Sequence, residues 1–244
     1  MIVFLTSSPS GSLDDSHKVN GLDEMNHFVD NLRKYWRECA KCLVITASPD
    51  AYEANDEMTD FFAQAVKDAG LSWSEFLLWD GRDGEVSKEE LHSFDVIILG
   101  GGHVPTQNQF FQEIGLKEKM QGFDGIVIGI SAGTMNSATV VYAQPELPGE
   151  SVDSSYVKFM EGLGLSDVQI LPHYQMVKDY MLDGKRLYED IAFADSYGNH
   201  FLVLTDGSYL LSVNGEESVW GEAWVLSDGR MEKFCENEEV RQLR

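Results

Sequence analysis

Gly125-Ile126-Val127-Ile128-Gly129-Ile130-Ser131-Ala132-Gly133 is an apolar run that closes in Gly-x-Ser-x-Gly. Residues 125–130 carry no alternation of polar and apolar side chains. That predicts a strand buried on both faces, as in a parallel sheet covered by helices. The stretch after it, Thr134-Met135-Asn136-Ser137-Ala138, is compatible with a helix that Ser131 begins. A serine on a sharp strand-to-helix turn has two readings. As a nucleophile elbow, the glycines admit the crossing strand and helix, and the hydroxyl stands at the sheet edge beside free helix N–H groups. As a structural N-cap, the same glycines serve only a tight turn.

Outward from this stretch, strand and helix patterns alternate. Residues 2–5, 42–47, 75–79 and 95–99 read as strands. A polar Gly/Ser/Asp-rich loop reaches to Gly21. Leu22, Met25, Phe28, Val29, Leu32, Tyr35 and Trp36 fall on one helical face. Met58, Phe61, Phe62, Ala65, Val66 and Ala69 mark a second helix, stopped by Gly70, and a further helix starts near Pro105. Beyond Tyr142 the chain becomes irregular, then resumes with a strand at 168–171 and a helix over 187–194. The tail changes to short runs at 201–204, 209–213, 218–220 and 223–226. Asp206-Gly207, Asn214-Gly215 and Asp228-Gly229 separate them and read as hairpin turns. The pattern predicts an α/β three-layer sandwich with a mostly parallel sheet and antiparallel C-terminal hairpins, in a single domain over residues 1–244.

Composition narrows the function classes. The formal charge of −23 repels phosphate backbones and anionic lipid, so neither nucleic acid nor a membrane surface is an expected partner. No apolar run approaches the ~20 residues of a membrane span, and the first residues read as a strand rather than a signal peptide. Three cysteines, Cys39, Cys42 and Cys235, fit a reducing cytoplasm. Cys39-Ala40-Lys41-Cys42 matches C-x-x-C, but it closes a helix and opens a strand, the reverse of a redox motif, so the two are read as ordinary thiols. No metal-ligand spacing such as H-E-x-x-H is present, and no cofactor or metal is expected.

A serine nucleophile needs a base and an orienting carboxylate. Among six histidines, His173 ends a short strand downstream of Ser131 and is favoured. His103, in Gly100-Gly101-Gly102-His103 at the end of the 95–99 strand, comes second, and His200 lies at the amino end of a strand. Parallel sheets place sites at the carboxyl ends of their strands, so the glycine turn and Ser131 are expected side by side, with glycine N–H groups facing a developing oxyanion. Asp206 ends the 201–204 strand and is one candidate acid, though spacing alone favours reading Asp206-Gly207 as a hairpin turn. Asp153, Asp179 and Asp195 remain open.

Taken in order, Ile2 to Ser8, Ile97-Ile98-Leu99-Gly100-Gly101-Gly102, Ile128-Gly129-Ile130-Ser131-Ala132-Gly133, Gln169-Ile170-Leu171-Pro172-His173-Tyr174 and Leu204-Thr205-Asp206-Gly207-Ser208 resemble the dipeptidase E and cyanophycinase family of serine peptidases. The resemblance implies a class I glutamine amidotransferase-like (flavodoxin-like) fold with serine in place of cysteine. It implies Ser131 as nucleophile, His173 as base and Asp206 as the acid, where dipeptidase E has a glutamate. It further implies oxyanion N–H groups at Gly101 or Gly102 and at Ala132. A short peptide is the implied substrate, with N-terminal aspartyl dipeptides one candidate. Such a substrate needs a cation, and Arg186 falls near the family's arginine segment; an exposed helix-start pair is the other reading of it. His103 stands where dipeptidase E has asparagine and is a candidate substrate contact. The expected assembly is a monomer or homodimer. Two other readings stay open: an α/β-hydrolase-type esterase or amidase, which would need an acid such as Asp153 between Ser131 and His173, and a non-catalytic binding module that keeps the elbow as a turn.

Overall fold

The computed structural model describes residues 1–10 and 21–243. Most of the polar loop expected before Gly21, His17 included, lies outside the described residues. The parallel strands are β1 (Ile2–Thr6), β2 (Ala40–Ile45), β3 (Trp73–Trp79), β4 (Val96–Leu99) and β5 (Ile126–Ile130). Then come β6 (Val140–Tyr142) paired with β7 (Phe159–Glu161), β8 (Gln169–Leu171), and the short ladder of β9 (Met181–Leu182) with β10 (Lys185–Arg186). The tail supplies β11 (His200–Leu204), β12 (Tyr209–Val213), β13 (Glu216–Trp220), β14 (Ala223–Ser227), β15 (Arg230–Cys235) and β16 (Val240–Gln242).

The principal sheet runs β16-β13-β12-β1-β5-β4-β2-β3. Its β1 to β5 portion is parallel throughout, and β12, β13 and β16 extend it antiparallel. The two-residue period of a strand explains why both faces are covered. Phe4, Val44, Ile98 and Ile128 point to one side, where they pack with Phe28 and Leu32 of the helix Phe28–Tyr35 and with Phe62 and Val66 of the helix Tyr52–Asp68. Leu5, Ile45, Leu99 and Val127 point to the other. There they meet Phe110 and Phe111 of the helix Val104–Glu113 and Leu116 and Met120 of the next. All of β4 and β5 is buried, as unbroken apolar strands require. The expected mostly parallel α/β sandwich is therefore present.

The tail departs from a simple ribbon. Asn214-Gly215 joins β12 to β13 and Asp228-Gly229 joins β14 to β15, and in both turns the two central residues have positive φ, as two-residue hairpins need. Asp206-Gly207 is not a hairpin. β11 pairs with β14 and, in parallel, with β8 in a separate four-stranded sheet, whereas β12 belongs to the principal sheet. Residues 205–208 thus carry the chain from one sheet to the other. The second sheet leans on the Leu5/Leu99 face through Ile170, Leu202 and Leu204.

Two helices also differ. The helical face expected from Leu22 breaks at Asn26 and His27, both left-handed (φ 52° and 59°), before the helix Phe28–Tyr35 begins. Buried Asn26 gives up helical geometry for tertiary bonds: its Nδ2 donates to the Gly207 carbonyl at 2.8 Å, and its Oδ1 accepts from the Glu238 N–H at 2.8 Å. Asparagine tolerates this region better than most residues. The helix expected over 187–194 opens as a π-turn, Leu187–Ala192, and becomes α-helical only over Phe193–Asp195. The C-x-x-C pair does not form a disulfide. Cys39 is exposed, while burial within β2 pushes the Cys42 thiol up to about 12. Among the described residues no helix is long and apolar enough to cross a membrane.

Candidate active site

β1, β5 and β4 are neighbours in the principal sheet, so their carboxyl ends lie side by side. From these three ends come Ser7, Ser131 and the glycine turn Gly100-Gly102. Ser131 is held at φ 50°, ψ −108°, a region costing a non-glycine residue about 1–3 kcal/mol. The surroundings offset that strain. Its N–H donates to the Thr6 carbonyl at 3.2 Å, and the Thr134 hydroxyl donates to the same oxygen at 2.8 Å. Gly133 N–H donates to Gly100 O at 3.2 Å. A Cβ on Gly133 would fall on the Leu99 carbonyl, so only glycine lets the helix Ala132–Asn136 sit this close to β4.

The glycine turn is pinned in the same way. Gly102 has φ +152°, and a Cβ there would lie 2.7 Å from the Ala47 Cβ. A Cβ on Gly101 would be 3.4 Å from the Ser131 Cβ, so the turn stands against the elbow. A buried polar network ties the two together. Gln107 Nε2 donates to Gly100 O at 2.7 Å, and Asn136 Nδ2 donates to Gln107 Oε1 at 3.0 Å and to Val104 O at 3.1 Å. Gln107 and Asn136 are fully buried, so each bond is made where an unmet polar group would cost about 1–3 kcal/mol. Ala132 is the first residue of its helix, so its N–H has no carbonyl one turn back and points out of the helix N-terminus.

The remaining parts come from the second sheet. β8 and β11 are parallel neighbours, and two residues past their carboxyl ends stand His173 and Asp206. His173 Nε2 is 2.9 Å from Ser131 Oγ, and its Nδ1 is 2.6 Å from Asp206 Oδ1. With the Nδ1 proton directed at the carboxylate, Nε2 is left to accept from the serine hydroxyl. The Asp206 side chain is 7% exposed. Burial pushes its pKa up, but the His173 ring, with bonds from Ser7 and Gln175, overcomes this and holds the carboxyl below its ordinary value.

One bridging residue was not singled out in the sequence. Ser7 Oγ donates to Asp206 Oδ1 at 2.7 Å and accepts from the His173 backbone N–H at 2.7 Å. Buried at the end of β1, it links the principal sheet to both residues of the second. Its position at a strand's carboxyl end was readable; that β1 lies beside β5 was not.

A small cleft of about 90 Å³ opens over Ser131 and His173, below the roughly 300–1,000 Å³ of sites that enclose drug-sized ligands. Gly102 is on its wall. Val104, Met135, Val177 and Leu187 make much of it apolar, and Gln144 and Glu146 are its other polar side chains. Two expected contacts stand elsewhere. Arg186 does not line the cleft; it is exposed and paired with Asp190 at 2.7 Å, as an exposed helix-start pair would be. His103 has both ring nitrogens engaged, by Thr106 Oγ1 at 2.7 Å and Glu150 Oε1 at 2.8 Å. Asp153, the acid a Ser-acid-His order would need, accepts from Ser155 on the surface, and Asp195 is taken by Tyr142 and Lys158. Among the described residues no group of three or more His, Cys, Asp or Glu is placed to hold a metal ion.

The sequence matches peptidase family S51 over residues 15–219. The chain belongs to this family. It is a serine peptidase, as the elbow and its partners led one to expect. No curated protein sequence matches it. Among solved structures it is similar to a peptidase from an acI-B1 Actinobacterium, with a TM-score of 0.62 and 15% identity over 99% of this chain and 96% of that one. It is also similar to a structure named for peptidase E from Listeria monocytogenes EGD-e, with a TM-score of 0.53 and 14% identity over 100% and 98% of the two chains. At such identities the likeness is one of fold, and it spans the whole of this S51 chain.

Proposed function

We propose that this S51 peptidase, acting as one domain over residues 1–244, hydrolyses short peptides through an acyl-enzyme on Ser131. The observation that carries the reading is the continuous chain from Ser131 Oγ through His173 to Asp206, at 2.9 and 2.6 Å, assembled from three separate strand ends. His173 Nε2 takes the hydroxyl proton as Oγ attacks the scissile carbonyl carbon. The N–H groups of Ala132 and of Gly101 or Gly102 receive the charge that develops on the carbonyl oxygen. His173 then returns the proton to the leaving amine, and the acyl-enzyme forms. Water, deprotonated by the same nitrogen, releases the acid and restores Ser131. Asp206 stays ionised throughout and holds the imidazole in the required tautomer, with Ser7 fixing the carboxylate.

The small cleft supports short substrates. N-terminal aspartyl dipeptides are the candidates that the family resemblance names, but the cation they need is not supplied by Arg186. The α/β-hydrolase reading loses its support with Asp153 turned to Ser155. The test is cleavage of a dipeptide library by wild type and Ser131→Ala, with labelling by a fluorophosphonate. Wild type is expected to label on Ser131 and to release amino acids. Ser131→Ala should lose the label and several orders of magnitude in kcat. Well-folded wild type that neither labels nor cleaves would favour a binding module.

A further inference from the structure

A second cavity, of about 250 Å³, opens between the helix Val104–Glu113, the helix Leu116–Met120 and the chain leaving β7. It exceeds the 90 Å³ of the Ser131 cleft and the roughly 150 Å³ that holds a benzene-sized ligand. Among the described residues the two share no lining residue. The lining of the second cavity is chemically divided. Phe111 and Leu163 supply a buried apolar floor. Lys117 and Glu161 pair at 2.6 Å at its mouth, and Glu118 adds another carboxylate. One cation, two carboxylates and an apolar floor match a free α-amino acid in its zwitterionic form. Its carboxylate meets Lys117, its ammonium meets Glu161 or Glu118, and an apolar side chain covers Phe111 and Leu163.

Buried amides tie the walls of this cavity to the glycine turn beside Ser131. Asn108 is 4% exposed. Its Nδ2 donates to the Glu161 carbonyl and to Asn136 Oδ1, at 2.9 Å each, and its Oδ1 accepts from Gln112 Nε2 at 2.7 Å. Asn136 donates in turn to Gln107, which holds the Gly100 carbonyl at the root of the glycine turn. A separate link runs through the backbone. The Leu163 N–H donates at 2.9 Å to the carbonyl of Asn136, the last residue of the helix that Ser131 begins. Every amide in the chain accepts with its oxygen and donates with its nitrogen, so turning one breaks the bonds on both sides of it. Admitting a zwitterion requires Lys117 and Glu161 to part, and moving Glu161 withdraws the carbonyl that Asn108 holds.

From this geometry we infer that the cavity is a regulatory site for a free α-amino acid with an apolar side chain. Its occupation slackens the glycine turn and slows the chemistry at Ser131. Hydrolysis of short peptides releases such amino acids, so the site senses product. The regulation rests on Ser131 being the nucleophile, as proposed above.

The test uses L-leucine, N-acetyl-leucine, which lacks the ammonium, and 3-methylbutylamine, which lacks the carboxylate. Isothermal titration calorimetry on wild type should show one saturable leucine site per chain. Both analogues should bind about tenfold more weakly or less, as expected when a charged group loses its bond. Lys117→Met should remove the binding. Should that variant not fold, Glu161→Gln, which keeps the size of the side chain, is expected to weaken leucine about tenfold by the same reasoning. Saturating leucine should slow fluorophosphonate labelling of Ser131 about fivefold or more in wild type and have no effect on labelling in Lys117→Met. No saturable binding, equal binding of either analogue, or binding that persists in Lys117→Met would each overturn the site. Leucine that binds without slowing the labelling would overturn the regulation. So would protection that persists in Lys117→Met, because leucine would then be occupying the Ser131 cleft. Calorimetry does not depend on Ser131. Folded wild type that binds leucine but neither labels nor cleaves therefore overturns the peptidase reading and the regulation, and not the site.

Discussion

Ser131 and His173 meet across 2.9 Å, yet the two sides of that contact are built on different physics. The Ser131 side is held by close packing. Its backbone is strained, and it is kept there because Gly133 and Gly102 bring strands and helix nearer than any side chain permits. The His173 side is held by polar bonds. The strands behind it are short, His173 is left-handed at φ 59°, and its placement depends on Asp206 and Ser7, with Gln175 Oε1 accepting from the Asp206 N–H. Packed backbone resists displacement in every direction, while hydrogen bonds fix orientation and protonation state. The nucleophile proposed at Ser131 needs the first, and the proton-transferring ring proposed at His173 needs the second. Substitutions on the two sides should therefore fail differently.

The largest effect is expected on the polar side. Asp206→Asn keeps the shape but lets its amide donate to Nδ1, which leaves the imidazole proton on Nε2, where it cannot accept from Ser131. Steady-state kinetics should show kcat lowered about 10³–10⁴-fold, an effect far larger than the accompanying fall in stability. On the packed side, Gly133→Ala should act through stability first. Displacing the Leu99 carbonyl costs about 3 kcal/mol or more, above the usual range for an added methylene because the obstacle is backbone. Thermal denaturation would reveal it, and a variant with an unchanged Tm would contradict the packing account.

Ser7→Ala probes the seam between the two sides. It removes two bonds, each worth about 0.5–1.5 kcal/mol net and more where a charged group accepts. The expected result is a roughly tenfold fall in kcat, since the ring and carboxylate lose alignment but keep each other. The smallest effect is pH-dependent. Because the folded-state pKa of Asp206 lies below its ordinary value of 3.8, its ionised form contributes stability that is fully present above 3.8 and is lost as pH falls through the lower folded value. Wild type and Asp206→Asn should thus converge in stability in that acid window. Denaturant titrations at stepwise pH would test the sign.

Much of the fold was legible because unbroken apolar runs and helical stripes have one economical arrangement, a helix-covered parallel sheet. The elbow was legible for a related reason: Gly-x-Ser-x-Gly after a buried strand encodes its own local geometry. Other features were hidden. The turn residues Asp206-Gly207 satisfy a hairpin pattern, and nothing local says that the chain instead crosses between sheets. Asn26 looks like an ordinary helix position until Gly207 and Glu238 are seen to claim its side chain. Ser7, Gln107 and Glu146 are common polar residues whose value lies wholly in partners 166, 7 and 42 or more positions away in the strand ends, turns and helices that the fold gathers.

The residues alone determined which serine is exposed on a strained turn, that a sheet of parallel strands must carry it, and that the surface is strongly acidic. Those properties follow from backbone sterics, side-chain periodicity and summed charge, which act locally or add without regard to path. Only the tertiary structure decided that His173 and Asp206 are the partners of Ser131, that Arg186 stands away from the cleft, and that Glu146 lines it. Each of these depends on which strand ends become neighbours. Strand order is settled by the packing of two sheets and their helices against one another, not by any stretch of chain on its own.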